Sequence, residues 1–177
     1  NLTTDEWLQA WDGSQGILRN DGVTALIAGT SGDEIWAGGD FGLTLIDVVN
    51  QTVIVDWDQG SNSGGPTLST NDPAEIVIID DTLYYSQVQS GWNSNDLVYR
   101  IDLTNETSST IDAGQRIGTT GIVYGLGAVG DQIWIGVVPQ QWWNGDGTMV
   151  RWNDTTSAWE DDLANSGSID RVNARYV

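Results

Sequence analysis

Three observations predict an all-β fold for this chain, a β-propeller of four-stranded antiparallel blades. The first is an internal repeat. Asp33-Glu34-Ile35-Trp36 returns as Asp81-Thr82-Leu83-Tyr84 and again as Asp131-Gln132-Ile133-Trp134, with the aromatic positions 48 and then 50 residues apart. A period of this size marks units that bury their apolar faces on one another. The second is alternation of apolar and polar residues with period 2, and no stretch with a convincing helical period. The third is the crowding of Gly, Asn and Asp into the intervals, as tight antiparallel turns require.

The elements follow in order. In the first complete blade, strands are expected at 23–28, 34–38, 43–48 and 52–57. The second blade gives 75–79, 82–87, 97–102 and 109–113. The third gives 122–128, 132–137, 148–153 and 158–163. The chain is expected to be a single propeller segment. Residues 1–21 would end a preceding blade, because Asn1-Leu2-Thr3-Thr4-Asp5-Glu6-Trp7 parallels Asn153-Asp154-Thr155-Thr156-Ser157-Ala158-Trp159. Blades with their connectors then occupy 22–72, 73–120 and 121–170. Residues 171–177 resemble 23–28 and would start a next blade. Three complete blades plus partial terminal strands fall short of the about four to eight that close a ring. The expectation is therefore an excerpt of a longer propeller, or a protomer that completes one by self-association.

Composition narrows the function. Among 177 residues, 6 are Lys or Arg and 25 are Asp or Glu, a formal charge of −19. All six cations are Arg, and 20 of the 25 acids are Asp. Nucleic acid is not expected as a partner, since phosphate binding needs a basic patch that releases counterions. Insertion into a membrane is not expected, because no run of about 18 apolar residues exists. A lysine-free acidic surface suits a salty exterior, as in secreted proteins of marine or halophilic prokaryotes; a solvated surface kept for solubility is the alternative. The chain has no Cys and no His. Together with the absent Lys, this removes Ser-His-Asp and Cys-His catalysis, Schiff bases, disulfides and His or Cys metal sites.

The repeat resembles the two-component-regulator propeller repeat. A strand led by Val23 is followed by Gly32-Asp33-Glu34-Ile35-Trp36-Ala37-Gly38 and then by Gly42-Leu43-Thr44-Leu45-Ile46-Asp47. The third repeat fits as well, with Gly130 to Gly136 and Gly147 to Asn153; the second departs at Tyr84 and Ser86. The resemblance implies an extracytoplasmic sensor or surface domain that binds rather than catalyses. It implies an extracellular, cell-surface or periplasmic location.

Trp36, Tyr84 and Trp134 share one repeat position and are expected to fill the wedges between blades. Trp7, Trp57 and Trp159 are expected to do the same from the outer strand, with slightly more exposure. The aromatics outside the repeat carry the functional expectation. From the second-strand aromatic to the end of the third strand, the blades count 11, 18 and 19 residues. The second and third blades thus carry insertions that contain Trp92, Asn95 and Asp96, then Trp142, Trp143, Asn144 and Asp146. These insertions and the segment 59–72 would emerge on one face. Flat rings can stack on sugars while amides and carboxylates hold hydroxyls, so a glycan or other extracellular ligand is the expected partner. The competing reading packs these Trp residues on each other.

Calcium is a second candidate, because Asp56-Trp57-Asp58-Gln59-Gly60 has the opening of some calcium loops. No full loop signature follows, and turn formation explains the same residues. No cofactor is expected otherwise. Asn1, Asn50, Asn105 and Asn153 begin Asn-x-Ser/Thr sequons, which ordinary turn chemistry also explains. Two alternatives to ligand recognition stay open: a structural, self-associating surface protein without a small-molecule site, and a polysaccharide hydrolase or lyase fragment using loop carboxylates.

Overall fold

The computed structural model describes residues 22–58, 65–66, 68, 73–87, 97–117, 121–139 and 148–160. They form three four-stranded antiparallel meanders. Sheet 1 is β1 (Val23–Ala28), β2 (Glu34–Gly39), β3 (Gly42–Asp47) and β4 (Thr52–Trp57). Sheet 2 is β5 (Pro73–Ile79), β6 (Thr82–Gln87), β7 (Leu97–Asp102) and β8 (Thr107–Asp112). Sheet 3 is β9 (Gly121–Val129), β10 (Gln132–Pro139), β11 (Thr148–Asn153) and β12 (Ala158–Glu160). The innermost strands β1, β5 and β9 lie side by side. This is a partial β-propeller of four-stranded blades.

The wedge between sheets 1 and 2 holds Trp36, Leu43, Leu45 and Trp57 from one side and Ile76, Leu83, Tyr85 and Tyr99 from the other. Trp36 and Trp57 meet with centroids 5.1 Å apart, and Tyr85 stacks on Tyr99 at 4.8 Å. Between sheets 2 and 3 lie Val77, Tyr84, Val98 and Ile111 against Val123, Ile133, Ile135 and Val137. Apolar burial of this kind is the main force that joins the blades, since among the described residues no backbone ladder crosses from one sheet to the next.

The repeat position behaves as expected for two of its three members. Trp36, Tyr84 and Trp134 lie opposite Leu45, Arg100 and Arg151 in their sheets. Trp36 fills the first wedge and Tyr84 the second. Trp134 points to the side of sheet 3 that faces away from sheet 2. The substitution of Tyr for Trp has a consequence: Arg100 Nε donates to the Tyr84 hydroxyl at 3.4 Å and to Asp154 Oδ1 at 3.1 Å, so an ion pair ties sheet 2 to the last turn of sheet 3. Burial raises the Tyr84 hydroxyl above its ordinary range, and its bond to Asp154 adds to the effect.

The described outer-strand tryptophans pack into the wedges as expected, but from opposite sides of their sheets, and Trp7 lies outside the described residues. Trp57 is 3% exposed, against 2% for Trp36. It faces the same side as Trp36. Trp159 instead pairs with Trp152 in register, meets it edge-on at 5.2 Å and packs toward sheet 2. The two residues therefore face opposite sides of their sheets. The cause is register: Trp57 follows the end of β3 by ten residues, Trp159 follows the end of β11 by six, and β4 carries a bulge at Ile54.

A correction concerns the end of sheet 2. A strand was expected to run to Ala113, but β8 stops at Asp112 and a short helix, α1 (Ala113–Ile117), follows. Asp112 Oδ1 accepts the Gln115 amide at 2.8 Å, an N-cap that gives the chain an alternative to the ladder.

Close approach explains two glycines. Gly42 has φ +108°, and a Cβ there would fall 2.1 Å from the Trp57 carbonyl. At Gly38 a Cβ would stand 2.9 Å from both Ile76 Cδ1 and Pro73 Cβ of the next sheet. The small residue lets the inner strand of sheet 2 settle on sheet 1.

Candidate ligand face

The sheets share an orientation. The Thr24 hydroxyl, near the start of β1, donates to the Pro73 carbonyl at the start of β5. Glu75 of β5 and Gly125 of β9, each a few residues into its strand, border one hollow. One end of the assembly is therefore built by the first-to-second and third-to-fourth strand turns, and the other by the remaining connections.

The first end is tight, with connections of two to five residues. Its third-to-fourth turns repeat one geometry. Asp47 Oδ1 accepts the amides of Val49 and Asn50 at 2.9 and 2.8 Å, and Asn50 Nδ2 returns a bond to Oδ2 at 2.8 Å. Asp102 does the same with Thr104 and Asn105. Asn153 accepts from Thr156 at 2.9 Å. Gln51, Glu106 and Ser157 close these turns with φ of 56°, 52° and 50°. These bonds hold the Asp47 and Asp102 carboxyls below the usual range: for Asp47 the Asn50 amide N–H is the largest cause, for Asp102 the Asn105 side chain. The two turns at this end are also clasped together in each sheet. The carbonyls of Asp33, Asp81 and Asp131 accept from Val48, Leu103 and Asp154 at 2.9, 2.8 and 3.0 Å.

The other end is unequal. Two residues, Asp40 and Phe41, join β2 to β3, whereas 88–96 join β6 to β7 and 140–147 join β10 to β11. The connection from β4 to β5 also leaves at this end. The long connections thus spring from neighbouring sheets on a common side. Trp92, Asn95, Asp96, Trp142, Trp143, Asn144 and Asp146 themselves lie outside the described residues.

Asp56 and Asp58, the calcium candidates, are described. They flank buried Trp57, and Asp56 Oδ1 accepts the Thr44 hydroxyl at 3.3 Å across β3 and β4. No group of three acidic side chains converges among the described residues. Gln59 and Gly60 of the same fragment lie outside them.

Glu75, on β5, carries no functional signal in the linear sequence. Glu75 occupies the inner-strand position that is Ala25 in sheet 1 and Gly125 in sheet 3, as its register opposite Ser86 shows against Ala25–Gly38 and Gly125–Gly136. That contrast is readable once strands are aligned by register. Glu75 borders a hollow of about 70 Å³ with Gly125, Gly127, Trp134, Gly136 and Met149. Burial raises the Glu75 carboxyl above its ordinary value. Trp134 Nε1 is buried there without a hydrogen-bond partner, and the Arg151 guanidinium sits 5.1 Å from the ring centre. Arg151 is balanced within its own sheet by Glu160 at 3.3 Å.

One known structure agrees with the fold. The extracellular domain of BT4673 from B. thetaiotaomicron, assigned as a one-component system, superposes with a TM-score of 0.52 at 16% identity, covering 88% of this chain and 18% of that one. PorZ, a surface component of the type-IX secretion system of Porphyromonas gingivalis, gives a TM-score of 0.47 at 14% identity over 81% of this chain and 16% of that one. The chain spans less than a fifth of either protein's length. No protein-family model matches the chain, and no curated protein does. No helix among the described residues is long and apolar enough to cross a membrane.

Proposed function

We propose that this chain is a non-catalytic ligand-recognition segment of an extracytoplasmic propeller, with a glycan as its ligand. The observation that supports the reading is the inequality of the two ends. One end consists of short, hydrogen-bonded turns. The opposite end receives connections of nine and eight residues from adjacent sheets, against two in sheet 1. Loops longer than the repeat requires, set on a rigid scaffold, are where recognition concentrates. Their sequences hold Trp92, Trp142 and Trp143 as stacking platforms, with Asn95, Asp96, Asn144 and Asp146 to bond hydroxyls. The extracellular domain of BT4673 shares the fold, and this supports the assignment to a sensor outside the cytoplasm. Calcium, through Asp56 and Asp58, is a subsidiary proposal.

The test is intrinsic tryptophan emission during titration with acidic and neutral polysaccharide fragments, with and without calcium. The expected result is a saturable shift that disappears in Trp142→Ala/Trp143→Ala. A flat response across the panel from folded protein would move the assignment to a structural, self-associating surface protein.

A further inference from the structure

We infer that the hollow bordered by Glu75 and Trp134 binds a primary amine on a short aliphatic stem, with the Glu75 carboxylate as its counter-ion. The site is built by strands, not by the loop residues assigned to a glycan, and does not depend on that reading.

The hollow is the volume of side chains that sheet 3 lacks. Opposite the repeat aromatics Trp36, Tyr84 and Trp134, the innermost strands place Ile27, Val77 and Gly127. Two residues earlier on the same strands come Ala25, Glu75 and Gly125. Strand alternation puts these two positions on one face. Sheet 3 thus has glycine at both, and Gly136 of β10 pairs with Gly125 across the ladder. In sheet 1 the corresponding Gly38 is covered, because a Cβ there would stand 2.9 Å from both Pro73 and Ile76 of sheet 2. In sheet 3 the same region is a hollow of about 70 Å³, walled by Leu126, Trp134 and Met149 over the three glycines.

Glu75 borders this hollow from the neighbouring sheet. It is exposed, so a solute can meet its carboxylate. The apolar surroundings partly desolvate the carboxyl and raise its pKa, so the ionised form gains from a counter-charge. Size narrows the choice further. A dry cavity of about 150 Å³ takes a six-carbon ring, so one of about 70 Å³ admits about three heavy atoms. An aminoethyl head has that size. Its ammonium pairs with Glu75, and its two methylenes lie against Trp134 and Met149. The indole face adds attraction for a cation. The Arg151 guanidinium, 5.1 Å from the ring centre, meets Glu160 at 3.3 Å, which offsets its repulsion of the ammonium. The formal charge of −19 concentrates cations at the surface and turns away anionic competitors.

The experiment titrates the whole chain with ethylammonium chloride at fixed ionic strength, with sodium chloride and ethanol as controls. The readout is the indole N–H resonance of Trp134, identified by its loss in Trp134→Phe. The expected result is a saturable shift with ethylammonium and none with sodium or ethanol. Glu75→Gln, a change at an exposed side chain, is expected to raise Kd about fivefold or more. Gly127→Val, which installs the residue that sheet 2 carries at that position, is expected to fill the hollow and abolish the shift. An equal response to sodium would overturn the proposal, because it would be screening rather than binding. So would an equal response to ethanol, which would make the hollow a site for neutral hydroxyl compounds. An unchanged Kd in Glu75→Gln would overturn it even if Gly127→Val failed to fold.

Discussion

At the scale of the residue, one repeat position does two jobs in this chain. Trp36 is 2% exposed and sits against Trp57 inside a wedge. Trp134, at the same register, faces away from its neighbour and is only partly buried. The same chemical change should therefore have different costs. Trp36→Ala removes a full ring from a packed interface and is expected to destabilise by about 3–5 kcal/mol, whereas Trp134→Ala should cost nearer about 1 kcal/mol. Urea unfolding of the two variants checks the difference; equal losses would show that Trp134 is covered as thoroughly as Trp36. Tyr84 adds a further lesson. Its hydroxyl, which Trp lacks, is met by Arg100, and Arg100 in turn reaches Asp154 of the next sheet. What reads in the sequence as a departure from the repeat is a polar link between blades.

At the scale of the element, the repeated turns make a pH-dependent contribution. Asp47 and Asp102 both titrate below their ordinary values because their ionised forms accept amide bonds in the turn. A carboxyl with a lowered folded-state pKa stabilises the fold above its unfolded value, and the contribution is lost as pH falls through the folded value. Stability should therefore fall on acidification below the ordinary aspartate range. The double variant Asp47→Asn/Asp102→Asn should show a shallower acid limb in Tm measured against pH, with the difference from wild type largest near neutrality. An unchanged acid limb would mean that these turns do not sense protonation. Much of the element layout was legible in the chain: β1, β4, β6, β7 and β11 occupy the spans that alternation and turn residues predict. What was not legible depends on register and local competition. One bulged residue at Ile54 separates Trp57 from Trp159, and one N-cap at Asp112 converts an expected strand end into α1. Neither leaves a mark in periodicity. The inner-strand Glu75 was missed for a related reason, since its position becomes meaningful only beside Ala25 and Gly125.

At the scale of the whole molecule, the charge of −19 acts on all three sheets at once. Ion pairs such as Arg100–Asp154 and Arg151–Glu160, among the described residues, compensate a small part of it. Self-repulsion weakens as salt shortens the screening length from about 30 Å at 0.01 M to about 3 Å at 1 M. Tm is expected to rise over that range of sodium chloride. A fall would show that ion pairs outweigh the repulsion. The loop residues proposed to hold a glycan were nominated from composition and spacing, and the fold adds the common end from which their loops depart.

The clasp at the tight end has a consequence for how such a chain can change over generations. In each sheet a backbone amide after the third strand meets a backbone carbonyl before the second, and the residues involved are Val48, Leu103 and Asp154 on one side. This contact needs only a backbone N–H, so Val48 and Leu103 can change to any residue but proline while the join persists, whereas Asp154 is also held by its ion pair with Arg100. A duplicated or transplanted unit would arrive with its own clasp already encoded. Novelty can then accumulate in the opposite connections without retuning the base, a division of labour that lets one unit be copied, reordered and given new loops by recombination.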